Sequence, residues 1–150
     1  MGLKSLIGYF VGATLTMSLI NACSAQPVSK CDTKLFSAAD TALDNIDNWA
    51  SVYIWYKNYS VCDDGYLSEG LSDTVGRLLD KNWSETTKFV EAARKDSKYL
   101  AFVLTHINST LDSRVLESIH ENTLNHCPKG YSDICQKIQV SADQALNSNQ

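Results

Sequence analysis

Cys31, Cys62, Cys127 and Cys135 restrict this chain more than any other feature of its sequence. In a small exported domain, four cysteines read most simply as two disulfides, which persist only in an oxidising compartment. Zinc ligation needs close pairs such as C-x-x-C, and none is present. Reach then selects the pairing, because the alpha carbons of bridged cysteines lie within about 7 Å of each other. Cys127 and Cys135 flank a short segment containing Pro128 and Gly130 that can fold the chain back on itself. That leaves Cys31 for Cys62. A single unbroken helix over 33–60 would hold its ends roughly 40 Å apart, so this pairing requires a break. Asp44-Asn45-Ile46-Asp47-Asn48 supplies four weak helix formers where the chain can turn. The expectation is a helical hairpin closed by Cys31 and Cys62. A bridge from either of these to Cys127 or Cys135 would restore the single long helix as an option.

The fifth cysteine belongs to a different part of the chain. Lys4 is followed by an uncharged, apolar-rich stretch from Ser5 to Ile20 and then by small residues, the plan of a secretion signal. The stretch is shorter than the about 20 residues a bilayer-spanning helix needs, so it reads as a cleaved signal rather than an anchor. Leu19-Ile20-Asn21-Ala22-Cys23 resembles a bacterial lipobox, although Asn21 departs from the small or apolar residue usual there. The resemblance implies cleavage before Cys23 and lipidation of that residue, and Ser24 after it implies the outer membrane. Ordinary cleavage after Ala25 is the rival. The resulting division is a signal over 1–22 (1–25 under the rival), a tether over 23–32, a helical domain over 33–146 and a frayed tail over 147–150.

Two prolines and almost no alternating apolar runs make helix the default. Leu35, Ala39, Ala42, Leu43 and Ile46 follow helical steps, continued by Trp49, Tyr53 and Tyr56. Asp63 and Asp64 can cap a helix carrying Leu67, Leu71, Val75 and Leu78. Asn82 and Glu85 form a capping-box variant ahead of Phe89, Val90 and Ala93. Ser97 is the expected cap of a central apolar helix with Leu100, Phe102, Val103, Leu104 and Ile107. Leu111, Val115, Ile119 and Leu124 share one phase, and Ser132 can cap a last helix burying Ile134, Ile138 and Ala142. The fold predicted is all-α, a small irregular orthogonal bundle of five to seven short helices with two disulfides.

Catalytic and cofactor chemistry finds little support. His106, His120 and His126 fit no metal motif, and Glu121 after His120 lacks the second histidine of H-E-x-x-H. Asp63-Asp64-Gly65 with Glu69 does not match the spacing of a calcium loop, and helix capping accounts for these carboxylates. No metal, cofactor or catalytic residue is expected. Without its signal the chain carries 12 basic groups against 17 acidic ones, a net of −5, which argues against a nucleic-acid partner.

Aromatic density and acidity point to a protein partner instead. Trp49, Tyr53, Trp55, Tyr56, Tyr59 and Tyr66 exceed what one buried helix face can hold. Either the helix is sandwiched in the core or the surplus is exposed as an anchor for a partner. Asp32 to Asp80 holds nine carboxylates against Lys34, Lys57 and Arg77, which suits a basic partner. The expected contact set is Trp55, Tyr59, Asp63, Asp64 and Tyr66. In overall plan, a short signal before a small, acidic, disulfide-stapled helical domain, the chain is similar to periplasmic immunity proteins of bacterial toxin systems. That likeness implies a non-enzymatic inhibitor of a toxin or lytic enzyme in the cell envelope. A structural or assembly lipoprotein of the outer membrane is the alternative, and a small hydrolase the third reading.

Overall fold

The computed structural model describes residues 30–148, so the expected signal, Cys23 and most of the tether lie outside the described residues. Seven α-helices and no strand occur among the described residues. In order they are α1 (Thr33–Leu43), α2 (Trp49–Tyr59), α3 (Gly65–Lys81), α4 (Thr86–Lys95), α5 (Ser97–Thr105), α6 (Ser113–Asn125) and α7 (Ser132–Ser148). Short 3-10 turns, Ser60–Cys62 and Trp83–Glu85, precede α3 and α4.

The break between α1 and α2 falls on the Asp44–Asn48 segment. α1 opens on Asp32, whose carboxylate accepts from the Leu35 N–H at 2.8 Å. α2 opens on Asn48, whose side chain accepts from the Ser51 N–H at 3.0 Å. Each cap satisfies one N–H that a helix start leaves without an intrahelical partner. The two helices run antiparallel, since Cys31 is bridged to Cys62 while the Trp55 indole donates to the Ala39 carbonyl at 2.9 Å. At the other end of the chain, Cys127 is bridged to Cys135 across the α6–α7 connection. His120 of α6 meets Asp143 of α7 at 2.6 Å, so this pair is antiparallel as well.

Between these hairpins lies the core. Leu67, Leu71, Val75 and Leu78 form the expected buried stripe of α3, and Phe89, Val90 and Ala93 are buried on α4. Trp49 stacks on Phe89 at 4.6 Å, and Tyr99 meets Tyr53 edge-on at 4.8 Å. Such offset and edge-on pairs add about 0.5–1.5 kcal/mol each beyond the area they bury. α2 is thus packed on several sides, with Trp49, Val52 and Trp55 buried and Tyr53, Tyr56 and Tyr59 half-buried. Two glycines set helix separations. A side chain at Gly70 would stand 2.7 Å from Leu43 of α1, and one at Gly76 would stand 2.8 Å from Leu111. Bare backbone at these positions lets α3 lie close to α1 and to the approach to α6.

Several local expectations are corrected. Asp96, rather than Ser97, caps α5, accepting from the N–H groups of Lys98 and Tyr99, both at 3.1 Å. Asp96 also accepts from the Tyr53 hydroxyl at 3.4 Å and lies 3.8 Å from Lys57, so a longer-range role chose the capping residue. The capping box does not form: Asn82 makes no side-chain cap, and Glu85 pairs with Lys88 instead. Leu124, expected inside, is largely exposed, because α6 turns it away from α3 and α7. Ser132 lies inside α7, and that helix continues two residues past Leu146 to Ser148.

Replacing Asp96 should reveal its double duty. Asp96→Ala removes the α5 cap, worth about 0.5–2 kcal/mol, together with the Tyr53 contact. Urea unfolding should show a loss near the upper end of that range, whereas Ser97→Ala should change stability by less than about 0.5 kcal/mol.

Candidate functional site

α1 and α3 lie side by side, and their shared outer face carries the most exposed aromatic ring described. Phe36, Asp40 and Asp44 recur at four-residue steps and so line one side of α1. Phe36 is 41% exposed. Tyr66, in the first turn of α3, is 61% exposed. Its phenol titrates above the ordinary tyrosine range, chiefly because the negative charge of Asp40 disfavours phenolate, with desolvation and Asp44 adding to the effect. The close approach that places Tyr66 over α1 follows from Gly70, one turn further along α3, which rests on Leu43.

This geometry gives a direct test. Asp40→Asn should lower the Tyr66 titration midpoint toward the ordinary tyrosine value, read as phenolate absorbance against a Tyr66→Phe reference. An unchanged midpoint would place Tyr66 away from α1.

The five expected contact residues do not act as one surface. Trp55 is 1% exposed, with its N–H committed to Ala39, and is unavailable to a partner. This is a correction with a packing reason: the hairpin closed by Cys31–Cys62 folds α1 over that side of α2. Tyr59 is half-buried, its ring 5.9 Å from that of Trp55. Asp63 turns inward, with Oδ2 3.3 Å from His106 Nε2. Asp64 is exposed and accepts from the Gly65 N–H at 2.8 Å. Only Asp64 and Tyr66 therefore remain on the surface. Phe36, Asp40 and Asp44 complete it, and their four-residue spacing was the signal that could have named them.

The inward turn of Asp63 ends a buried polar chain. His106 Nδ1 lies 3.1 Å from the Ser72 hydroxyl, and Ser72 is further engaged by the Ser68 carbonyl at 3.0 Å and by the Asn108 amide, which donates to it at 3.1 Å. On paper the set contains the residues of a nucleophilic triad. Ser72 and His106 are each 1% exposed, however, and neither lines any of five clefts on the described residues. A nucleophile must reach its substrate, so this chain reads as a core network around a packing histidine, in which Ser72 is fully engaged while Asp63 Oδ1 and His106 Nε2 make no hydrogen bond among the described residues. His120, Glu117, Glu121 and Asp143 line a more open cleft between α6 and α7. No group of three His, Cys, Asp or Glu side chains among the described residues could hold a metal ion. No described helix is long and apolar enough to cross a membrane.

No known protein family, curated protein or solved structure matches the chain.

Proposed function

We propose that this chain is an exported, non-enzymatic envelope protein that binds another protein, most concretely as an immunity-type inhibitor of a toxin or lytic enzyme. The observation that carries the reading is Tyr66, exposed to 61% and seated beside Asp40 and Asp44 on the α1–α3 face. Tyrosine is enriched among residues that dominate binding energy, and surrounding carboxylates steer and orient a basic partner. Phe36 and Asp64 extend the same face. Burial of Ser72 and His106 supports the non-enzymatic reading. A lipid on Cys23 would hold the domain on the periplasmic side of the outer membrane; without one it is soluble in the periplasm or secreted. Mass spectrometry of the mature protein tests the anchor: an acylated Cys23 supports it, and a chain beginning at Gln26 overturns it.

The partner is sought by pull-down from envelope extracts with the mature domain and with its Tyr66→Ala and Asp40→Lys variants. The expected result is one stoichiometric, basic protein whose affinity falls by roughly 30-fold on Tyr66→Ala, the size of a 2 kcal/mol anchor. Association should also slow as salt rises, while dissociation changes less. Equal recovery by all three proteins would overturn the assignment of this face. Absence of any stoichiometric partner would overturn the binding function.

A further inference from the structure

A second surface, on the opposite hairpin and independent of the α1–α3 face, differs from it in chemistry. Trp83 stands in the turn between α3 and α4, and its indole N–H donates to the His126 carbonyl at 2.9 Å. His126 is the residue at which α6 ends, so one hydrogen bond ties two chain segments together and fixes the plane of the indole. Beside the ring lies a cleft of about 440 Å³, lined by Trp83, Ser84, Thr87, His126 and Pro128. That volume falls within the about 300–1,000 Å³ usual for small-molecule sites.

The wall of the cleft is braced. The Cys127–Cys135 bridge closes the loop that carries Pro128. Arg94 of α4 donates to the Gly130 carbonyl in the same loop and stacks over the Tyr131 ring at 4.1 Å. A site held by a covalent bond, a proline and a stacked guanidinium loses little freedom when it is filled.

Its lining narrows the ligand class. None of the five residues is Asp, Glu, Lys or Arg, so apart from the His126 imidazole the walls carry no group that can bear a charge and select a phosphate, a carboxylate or an ammonium. The hydroxyls of Ser84 and Thr87 and the ring nitrogens of His126 take part in no hydrogen bond among the described residues, which leaves their donors and acceptors open. A purely apolar ligand would cover these groups without satisfying them, at a cost. A pyranose ring meets both demands. Its C–H face lies flat on an aromatic plane, and its rim of hydroxyls donates to and accepts from neutral polar groups. The other cleft without charged lining, between α5 and α7, contains no aromatic residue, and its Asn108 amide is already committed to Ser72 and Thr105. We propose that the Trp83–His126–Pro128 cleft binds a neutral sugar ring of an oligosaccharide, with Trp83 as the stacking platform and Ser84, Thr87 and His126 as its hydrogen-bonding partners.

The chain carries its own reporter. Trp49 and Trp55 are buried, and Trp83 is the third and last tryptophan, so acrylamide quenching of tryptophan fluorescence reports chiefly on the cleft. The full mature protein is titrated with chitotriose and, in a parallel arm, with cellotriose and maltotriose. Saturable protection of Trp83 in the millimolar range by at least one of them is expected. Protection by chitotriose alone assigns an N-acetylated glycan, and protection by the glucose trimers assigns a plain hexose chain. Calorimetry with Trp83→Ala should show at least tenfold weaker binding, and with Thr87→Ala, an exposed position where folding is not at stake, a several-fold loss. Failure of all three sugars to protect Trp83 up to their solubility would overturn the proposal. So would binding that is unchanged in Thr87→Ala and in a Trp83→Ala protein shown to be folded, or protection by a proline-rich peptide where the sugars give none.

Discussion

Trp55→Ala should lower folding stability by about 3–5 kcal/mol, the range for deleting a large buried aromatic side chain. The indole is 1% exposed, donates its N–H to Ala39 at 2.9 Å, and lies 6.2 Å from the Phe102 ring in near-parallel orientation. Truncation therefore opens a cavity where α1, α2 and α5 meet and removes the side-chain bond that joins the first two helices. Guanidinium unfolding should show a lower midpoint with little change in slope. A loss below about 1 kcal/mol would mean that the indole is not packed as described. The effect also separates structure from binding: Trp55 acts on stability, whereas Tyr66→Ala should leave stability within about 0.5 kcal/mol and act on the partner.

The second large effect concerns the two disulfides, which should contribute unequally. On the chain-entropy account, a bridge stabilises more when it closes a longer loop. Cys31 and Cys62 are separated by 31 positions in sequence, Cys127 and Cys135 by only 8. The account then gives about 4 kcal/mol for the first bridge and about 2.5 kcal/mol for the second. The double substitution Cys31→Ser with Cys62→Ser should thus shift the denaturant midpoint further than Cys127→Ser with Cys135→Ser. Peptide mapping without reduction should recover the same two pairs. An equal or reversed order of stability loss would show that native-state contacts, rather than loop closure, govern these bridges.

Helix class and the disulfide hairpin were legible because both rest on local or near-local rules. Apolar residues at helical steps marked the buried stripe of α3, and Asp44–Asn48 marked a break because its side chains compete with helical hydrogen bonding. Cysteine pairing followed from reach combined with that break, without which Cys31 and Cys62 could not meet. Caps were legible less often. Asp64 matched its expected place at the start of α3, but Ser97 lost to Asp96, which gains contacts from Tyr53 and Lys57 that local sequence does not display.

By itself, then, the sequence determined the helical class, the position of the first break, both cysteine pairs and the negative balance of the first half, since each depends on residue type and spacing along the chain. The tertiary structure alone decided which aromatic rings face water. A helix exposes whatever its neighbours leave uncovered, and α1, folded back by Cys31–Cys62, covers Trp55, while Tyr66 stays open because Gly70 seats α3 against Leu43 one turn away. It also turned Asp63 inward to His106 and left Asp64 outside, although the two are adjacent and alike. Asp40 and Asp44 meet Tyr66, and Trp83 meets His126, only after helices distant in sequence have packed. Surfaces of that kind arise from long-range packing, which residue spacing within a single segment does not encode.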